Sequence, residues 1–368
     1  CYKCQTPIEP QIMEQWFVKM KPLAEKALKA VEKKQIKFIP EQYKKVFIYW
    51  MKNTIDWNIS RQIVWGISIP ARLCRKCPEA VVTLEEKEAN CPKCGGPMEK
   101  DRDTFDTWFS SGQWPFLALD YPEGSDYKTF YPTDVMETGH DLIFKWVPRM
   151  VIFGLYLDGR VPFHTVYLHG LVNDAQGRKM SKSKGNIINP IELGEKYGTD
   201  ALRMALIVGN TPGTDLALAE EKIKGYKHFA NKIWNISRFV LSNLEEKTLE
   251  KKPTLVIEDK KIVSELNSLI KTTTTYMNSF KFYLAAEKIY HYLWHTFADI
   301  IIERIKERLK KENDKDWLSA QWTMFKILET NLKLLHPFAP FVTEEIWSMM
   351  PKKNKDSLLI EEWPGKIS

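Results

Sequence analysis

Apolar residues in the second half of the chain return at every third or fourth position. The rhythm runs through Glu220 to Asn243, Lys260 to Ser279, Phe282 to Lys310, Asp316 to His336 and Pro340 to Met349. That period gives each segment one apolar stripe, and successive stripes joined by short polar links predict a helix bundle. The first half mixes rhythms. Trp16, Phe17, Met20, Leu23, Ala24, Ala27 and Leu28 predict an amphipathic helix over Glu14 to Glu32, and Tyr43, Val46, Phe47, Tyr49 and Trp50 a second from near Pro40 towards Trp57. Residues 62–73 are β-branched and apolar and end near a proline, which predicts a strand. Residues 101–120 combine aromatics with turn formers and read as a packed loop. Asp134 to Gly139 and His164 to Gly170 predict strands flanking a helix, Asp141 to Leu157, bent or interrupted near Pro148. Asn189-Pro190 starts a further helix, Gly198 stops it, and Asp200 is placed to cap another running through Val208.

Strand, helix, strand, loop, helix is the order of a parallel α/β unit, whose ligands belong at the carboxyl ends of the strands. The fold class expected is therefore α/β plus all-α, with residues 1–213 in the first domain and 214–368 in the second.

Composition narrows this little. At 368 residues with 44% hydrophobic, 27% charged and 12% aromatic positions, the chain can bury two or three cores and is not a disordered polymer. A net charge of +7 permits a polyanionic partner without requiring one. No apolar run is long enough to span a bilayer. The chain opens on Cys1-Tyr-Lys-Cys4 without Met or a leader pattern, so a piece of a longer protein is expected.

The six cysteines fall in three C-x-x-C pairs. Cys74, Cys77, Cys91 and Cys94 are spaced C-x2-C-x13-C-x2-C. Two such knuckles on one hairpin converge four thiolates around a tetrahedral ion, closed to water and therefore structural; a ribbon binding Zn2+ over 74–94 is expected. Cys1 and Cys4 form a half-site, whose partners either precede the chain or do not exist.

Gly177 to Asn186 (GRKMSKSKGN) holds Arg178, Lys179, Lys182 and Lys184 with Ser181 and Ser183 between glycines. Glycines allow a tight backbone path near a polyanion and lysines supply compact cations for phosphate oxygens. The plainer alternative is a solvated basic loop.

Placed after a parallel strand, Lys179 to Ser183 reads KMSKS, and the chain resembles the class I aminoacyl-tRNA synthetases. DWNISRQIVWGISIP from Asp56, FDTWFSS from Phe105, TGHDLIFKW from Thr138 and HPFAPFVTEEIW from His336 resemble their valine, isoleucine and leucine subgroup. NTPGTDLAL from Asn210 and FANKIWN from Phe229 fit best the branch that handles valine. The resemblance implies the second half of a Rossmann-type catalytic domain with an inserted zinc ribbon, followed by an anticodon-binding bundle. The HIGH-bearing half and the editing insertion are not found, and residue 1 is expected just past that insertion.

The resemblance further implies ATP and Mg2+ as cofactors, and valine, tRNA and the missing amino-terminal catalytic half as partners. It implies a cytoplasmic, membrane-free and monomeric parent enzyme. Lys179 and Lys182 would stabilise the departing pyrophosphate, with Ser181 and Ser183 shaping the loop. Lys182, Thr138, Gly139, Asp141 and His169 would hold the nucleotide, and Trp108 and Leu142 would line the amino-acid pocket. Asn58 and the pair Ile67-Ser68 depart from the family's usual residues. Lys222, Lys224, Lys227, Lys232 and Arg238, interleaved with rings on one helix, are candidates for RNA contact. An isoleucyl or leucyl relative and a non-catalytic tRNA-binding protein are the alternative readings.

Overall fold

The structure, a computed structural model, describes every residue except 1–3, 10–11, 85–89, 182–184 and 311–313. The chain packs as two compact units, Cys1–Leu168 and His169–Ser368.

In the first unit a three-stranded sheet places Phe163–His169 between Lys37–Ile39, to which it runs parallel, and Thr133–Gly139. Helices Met20–Glu32 and Val147–Leu157 supply Ala27, Val31, Val147, Met150 and Val151 to a core that also buries Phe38, Phe47, Phe163, Val166 and Leu168. Covering a sheet with helices leaves its interior strand buried and apolar, as Val166 and Leu168 are.

Several expected boundaries move, each because a tertiary contact overrides the local pattern. The first helix begins at Met20, not Glu14, because Asp56 accepts the Met20 amide at 3.0 Å. The residues before it extend instead, with Phe17–Val18 pairing against Trp57–Asn58. Residues 62–70 form a loop with exposed Ile63, Val64, Trp65 and Ile67, and only Ala71–Cys74 continues as strand. Residues 104–117 are not a plain loop: Thr104–Phe105 is a strand and Thr107–Ser111 a short helix capped by Asp106. Segment 141–157 is interrupted near Pro148 as expected: a 3-10 turn His140–Leu142 gives way to a helix that starts at Val147, with Pro148 in its first turn, where its missing amide leaves no bond unmade.

The second unit opens with Val172–Asn173 pairing in parallel with Leu216–Ala217, a strand beyond the point where strand patterns fade in the sequence. Helix Pro190–Tyr197 starts as expected, with the Asn189 side chain accepting the Ile191 amide at 3.0 Å. Helix Thr199–Ile207 follows across Gly198, which sits at φ +95°. Asp200 does not cap that helix. It accepts the amides of Val342 at 2.7 Å and Phe341 at 3.3 Å, and so caps Pro340–Ser348. Burial pushes its carboxyl above the usual range against the pull of those amides.

The bundle matches its apolar rhythm: Glu220–Ser242, Ile257–Asn278, the run from Phe282 to Arg308, Lys315–Leu335 and Pro340–Ser348. Its core buries Phe229, Leu266, Phe297, Phe325, Leu335 and Trp347. The long central run holds a π-helical stretch, Tyr292–Ile301, within otherwise α-helical flanks. No described helix is long and apolar enough to cross a membrane.

One buried ion pair ties three of these helices together. Arg308 donates to both oxygens of Asp259, at 2.9 and 2.6 Å, and to Asp316 at 2.8 Å, while Ser319 donates to Asp259. The Asp259 side chain is 0% exposed. Removing one partner of such a pair strands a buried charge and costs about 3 to 5 kcal/mol. Arg308→Ala is therefore expected to lower the unfolding free energy by about that amount in a urea titration, with less than half the loss for Arg308→Lys. A midpoint unchanged by Arg308→Ala would refute the role.

Candidate functional site

The lysine loop belongs to the second unit, and its base is fixed by backbone. A Cβ on Gly170 would lie 1.7 Å from the carbonyl oxygen of Thr214, so only glycine lets these strands approach. The approach is then secured by Leu171 donating to Asp215 Oδ1 at 2.8 Å, Leu216 to Leu171 at 2.9 Å and Leu218 to Asn173 at 3.1 Å.

From Asn173 the chain turns at Asp174, whose main chain accepts the Gly177 amide at 2.8 Å. Gly177, at φ +74°, and Gly185, at φ +64°, flank the cationic segment. The turn returns to bridge Lys179 to Asn173 in antiparallel fashion. Asp174 is 5% exposed. Its Oδ1 accepts the amides of Gln176 at 3.1 Å and Arg178 at 2.8 Å; its Oδ2 accepts Arg178 Nε at 2.9 Å and Asn186 Nδ2 at 2.9 Å. Asn186 lies beyond the cationic segment. Its Nδ2 also reaches the Lys179 carbonyl at 3.3 Å, and its Oδ1 accepts the Ser181 amide at 3.0 Å. The donated bond from Asn186, followed by those from Arg178, holds the Asp174 carboxyl down at about 2.

Of the residues expected in this loop, Lys179 is exposed and Ser181 half-buried; Lys182 and Ser183 lie outside the described residues. Asp174 and Asn186 are not among the residues that the sequence pattern singles out. Asp174 was within reach, since Asp three positions before Gly is a β-turn signature; Asn186 carries no such signal. His169 is half-buried and shares a 2.7 Å hydrogen bond with the Gly170 carbonyl.

Thr138, Gly139, Asp141, Trp108 and Leu142 belong to the first unit. Thr138 is buried at the end of Thr133–Gly139, and the chain leaves through one 3-10 turn, His140–Leu142. Gly139, not Asp141, is the capping position of that turn, so the half-buried Asp141 carboxylate is not taken up as a helix cap. Trp108 sits on Thr107–Ser111, which is tied to the segment after Leu142 by Trp146 Nε1 donating to the Ser111 carbonyl at 2.9 Å.

Below Trp108, the 6%-exposed Asp106 accepts the Trp108 amide at 3.3 Å, Trp57 Nε1 at 2.8 Å and Arg61 at 3.0 Å. Arg149 lies against the faces of Trp50 and Trp57, 4.9 and 4.8 Å from their centroids. Burial lowers its guanidinium to about 10. These tertiary supports have no periodicity and went unread in the sequence.

The four ribbon cysteines converge as expected. Their sulfurs all lie within 4.8 Å of one another, with Cys74 to Cys94 at 3.5 Å and Cys77 to Cys91 at 3.6 Å. Sulfurs on a tetrahedral zinc at bonds of about 2.3 Å stand about 3.8 Å apart, so the set fits that ion. The strands Ala71–Cys74, Ala80–Val82 and Met98–Lys100 support the knuckles in one antiparallel sheet. The Lys76 amide brings the Cys74 thiol down to about 6, while burial pushes the Cys77 thiol up. Cys4 is exposed, its sulfur 3.3 Å from Thr6 Oγ1, and Cys1 lies outside the described residues.

In the bundle, the candidate cations divide. Lys222 donates to the Val208 carbonyl at 2.7 Å, Lys227 to that of Lys196 at 3.1 Å, and Lys232 to Asp299 at 2.7 Å while lying 4.3 Å from the Trp294 ring. Lys224, His228, Trp234 and Arg238 are exposed.

Comparison with known proteins agrees with this geometry. Residues 5–219 match the family described as tRNA synthetases class I (I, L, M and V), and residues 259–368 the anticodon-binding domain of tRNA ligase. The chain is 45% identical to the valine--tRNA ligase of Carboxydothermus hydrogenoformans over 369 aligned residues, 99% of this chain and 42% of that protein. It is 46% identical to that of Petrotoga mobilis with the same coverage. The chain thus spans about two fifths of the length of these relatives. Among solved structures, Mycobacterium tuberculosis methionyl-tRNA synthetase in complex with methionyl-adenylate shares the fold, with a TM-score of 0.73 and 19% identity over 95% of this chain and 66% of that one. The chain belongs to the class I tRNA synthetases of the isoleucine, leucine, methionine and valine group.

Proposed function

We propose that this chain is the KMSKS-bearing part of a valine--tRNA ligase, which joins valine to ATP as valyl-adenylate and then passes the valyl group to tRNA. The observation that carries this reading is the identity of 44–46% with valine--tRNA ligases along 96–99% of the chain.

In adenylate formation the valine carboxylate attacks the α-phosphorus, the bond to the bridging oxygen breaks, and charge accumulates on the departing pyrophosphate. Cations that meet those oxygens in the transition state lower the barrier more than cations that only bind ATP. Lys179 and Lys182 take that role, Lys182 foremost, with Ser181 and Ser183 donating hydrogen bonds in the loop. Thr138, Gly139, Asp141 and His169 hold the adenosine: glycine permits close approach, and the Asp141 carboxylate can accept ribose hydroxyls. The Asp141 role is supported by its absence from the cap of its own turn. Trp108 and Leu142 bound the valine side chain. Mg2+ would neutralise the phosphates, and Zn2+ on Cys74, Cys77, Cys91 and Cys94 would hold the ribbon. The bundle would take the anticodon arm through its exposed cations and rings, and the enzyme would act in the cytoplasm.

The chain alone is expected to give no valine-dependent ATP–pyrophosphate exchange. Joined in one polypeptide to the amino-terminal half of the catalytic fold, it is expected to exchange with valine in preference to isoleucine and leucine. Lys182→Ala should then slow exchange by on the order of 10²- to 10³-fold. Preference for another amino acid, or full activity without Lys182, would overturn the assignment. Metal analysis of the purified chain is expected to give about one zinc per chain, lost on replacing Cys77 and Cys91 together by serine. A stoichiometry far below one in the unmutated chain would remove the zinc assignment.

A further inference from the structure

The cationic loop has a fastening of its own. Asp174 precedes the segment and Asn186 follows it, twelve positions apart in the chain, yet their side chains meet at 2.9 Å. Neither needs the other to complete a secondary element. Asp174 already organises its turn through Gln176 and Arg178. Asn186 directs all its bonds inward, accepting from Ser181 and donating to Lys179 and Asp174. The main chain of two KMSKS residues is therefore held by one amide side chain, and that side chain is held by one buried carboxylate.

We propose that Asp174 and Asn186 form a clasp that sets the position of Lys179 and Ser181, making both of them positioning residues for the cationic loop. The proposal rests on the functional reading above only for its consequence in catalysis; the clasp itself is a statement about the loop. A lysine displaced by about 1 Å from a transition-state oxygen loses much of its effect, on the order of 10²-fold in rate. The clasp would fix that distance without touching ATP.

The roles of the pair are complementary, which provides a rescue. In Asp174→Asn one oxygen position becomes an NH2 that must face donors, either Asn186 and Arg178 Nε or the amides of Gln176 and Arg178. In Asn186→Asp two carboxylates face one another. In the double variant the central bond is restored in reverse, the amide at position 174 donating to the carboxylate at position 186, which still accepts from Ser181; the bonds to the Lys179 carbonyl and from Arg178 Nε are not restored, so the rescue is partial. Two readouts test this. The first is hydrogen exchange followed by mass spectrometry on the full chain, which needs no activity. Each single variant is expected to speed exchange in peptides covering Lys179 to Ser181 by at least tenfold, with unchanged exchange in the Lys315–Leu335 helix, and the double variant to recover part of that protection.

The second is valine-dependent ATP–pyrophosphate exchange in the longer polypeptide. Each single variant is expected to lower kcat by on the order of 10²-fold with the KM for valine within about twofold, and the double variant to regain at least tenfold. Unchanged exchange at Ser181 in Asp174→Asn, or a double variant no better than its parents in either readout, would overturn the clasp. If the unmutated polypeptide activates no amino acid, the functional reading falls while hydrogen exchange still decides the clasp.

Discussion

A loop that concentrates cations must hold its shape against their mutual repulsion. Arg178, Lys179, Lys182 and Lys184 fall within seven positions, and like charges so close favour a spread conformation. The Asp174 carboxylate is the counterweight. Because it is nearly buried and accepts from both limbs, its charge acts over short distances with little competition from water. Its depressed pKa, about 2, means that its contribution is complete above the ordinary carboxylate range. It is lost only as pH falls towards that value, because protonation must first displace the donors of Asn186 and Arg178. At neutral pH the anchor is always charged, so the loop's geometry does not depend on a titrating group.

The same use of carboxylates recurs where the loop-bearing segment meets the bundle within the second unit. Asp200 leaves its own helix uncapped and caps Pro340–Ser348 instead, while Arg203, one turn on, donates to the carbonyls of Phe338 at 3.2 Å and Pro337 at 3.0 Å. The entry to helix Pro340–Ser348 is thus gripped from one helix by an anion on the free amides of Phe341 and Val342 and a cation on the free carbonyls of Pro337 and Phe338. Each partner satisfies backbone groups that would otherwise be stranded by burial. The result carries an architectural meaning: Thr199–Ile207, the second helix after the cationic loop, is built into the bundle core rather than strung from it by a linker. Gly170 works to the same end from the other side of the loop, by letting Thr214 pass at backbone contact.

What could be read from the sequence follows from which forces are local. The bundle helices were legible because an apolar stripe is a repeated signal, and each observed helix lies within a few residues of its rhythm. The ribbon was legible because metal chemistry fixes both residue type and spacing, so four cysteines named their own geometry. KMSKS was legible as a motif whose neighbours are equally distinctive. The misreadings share one cause. Glu14 to Lys19 have helical spacing but pair with Trp57 and Ser60, about forty positions away. Asp200 looked like a local cap and serves a helix about 140 positions downstream. Asp106, Arg149 and Asn186 have no periodic neighbours at all. A lone polar residue leaves no periodic trace, whether its partners are distant, as for Asp106 and Arg149, or near, as for Asn186.

The split of cations on helix Glu220–Ser242 limits what that helix can offer to RNA. Lys222 and Lys227 finish the ends of neighbouring helices by donating to Val208 and Lys196, which is the work of a helix C-cap. Lys232 is neutralised by Asp299 and covered by Trp294. A phosphate would have to displace those partners, and an ion pair already formed leaves little net attraction at its cation. Lys224 and Arg238 are exposed cations of the same helix, on turns that also carry the exposed His228 and Trp234. Lys232 is thus neutralised, whereas Lys222 and Lys227 keep their charge while spending a donor on a neighbouring carbonyl. Replacing Lys222 or Lys227 would therefore remove both a charge and a bond that ties this helix to its neighbours.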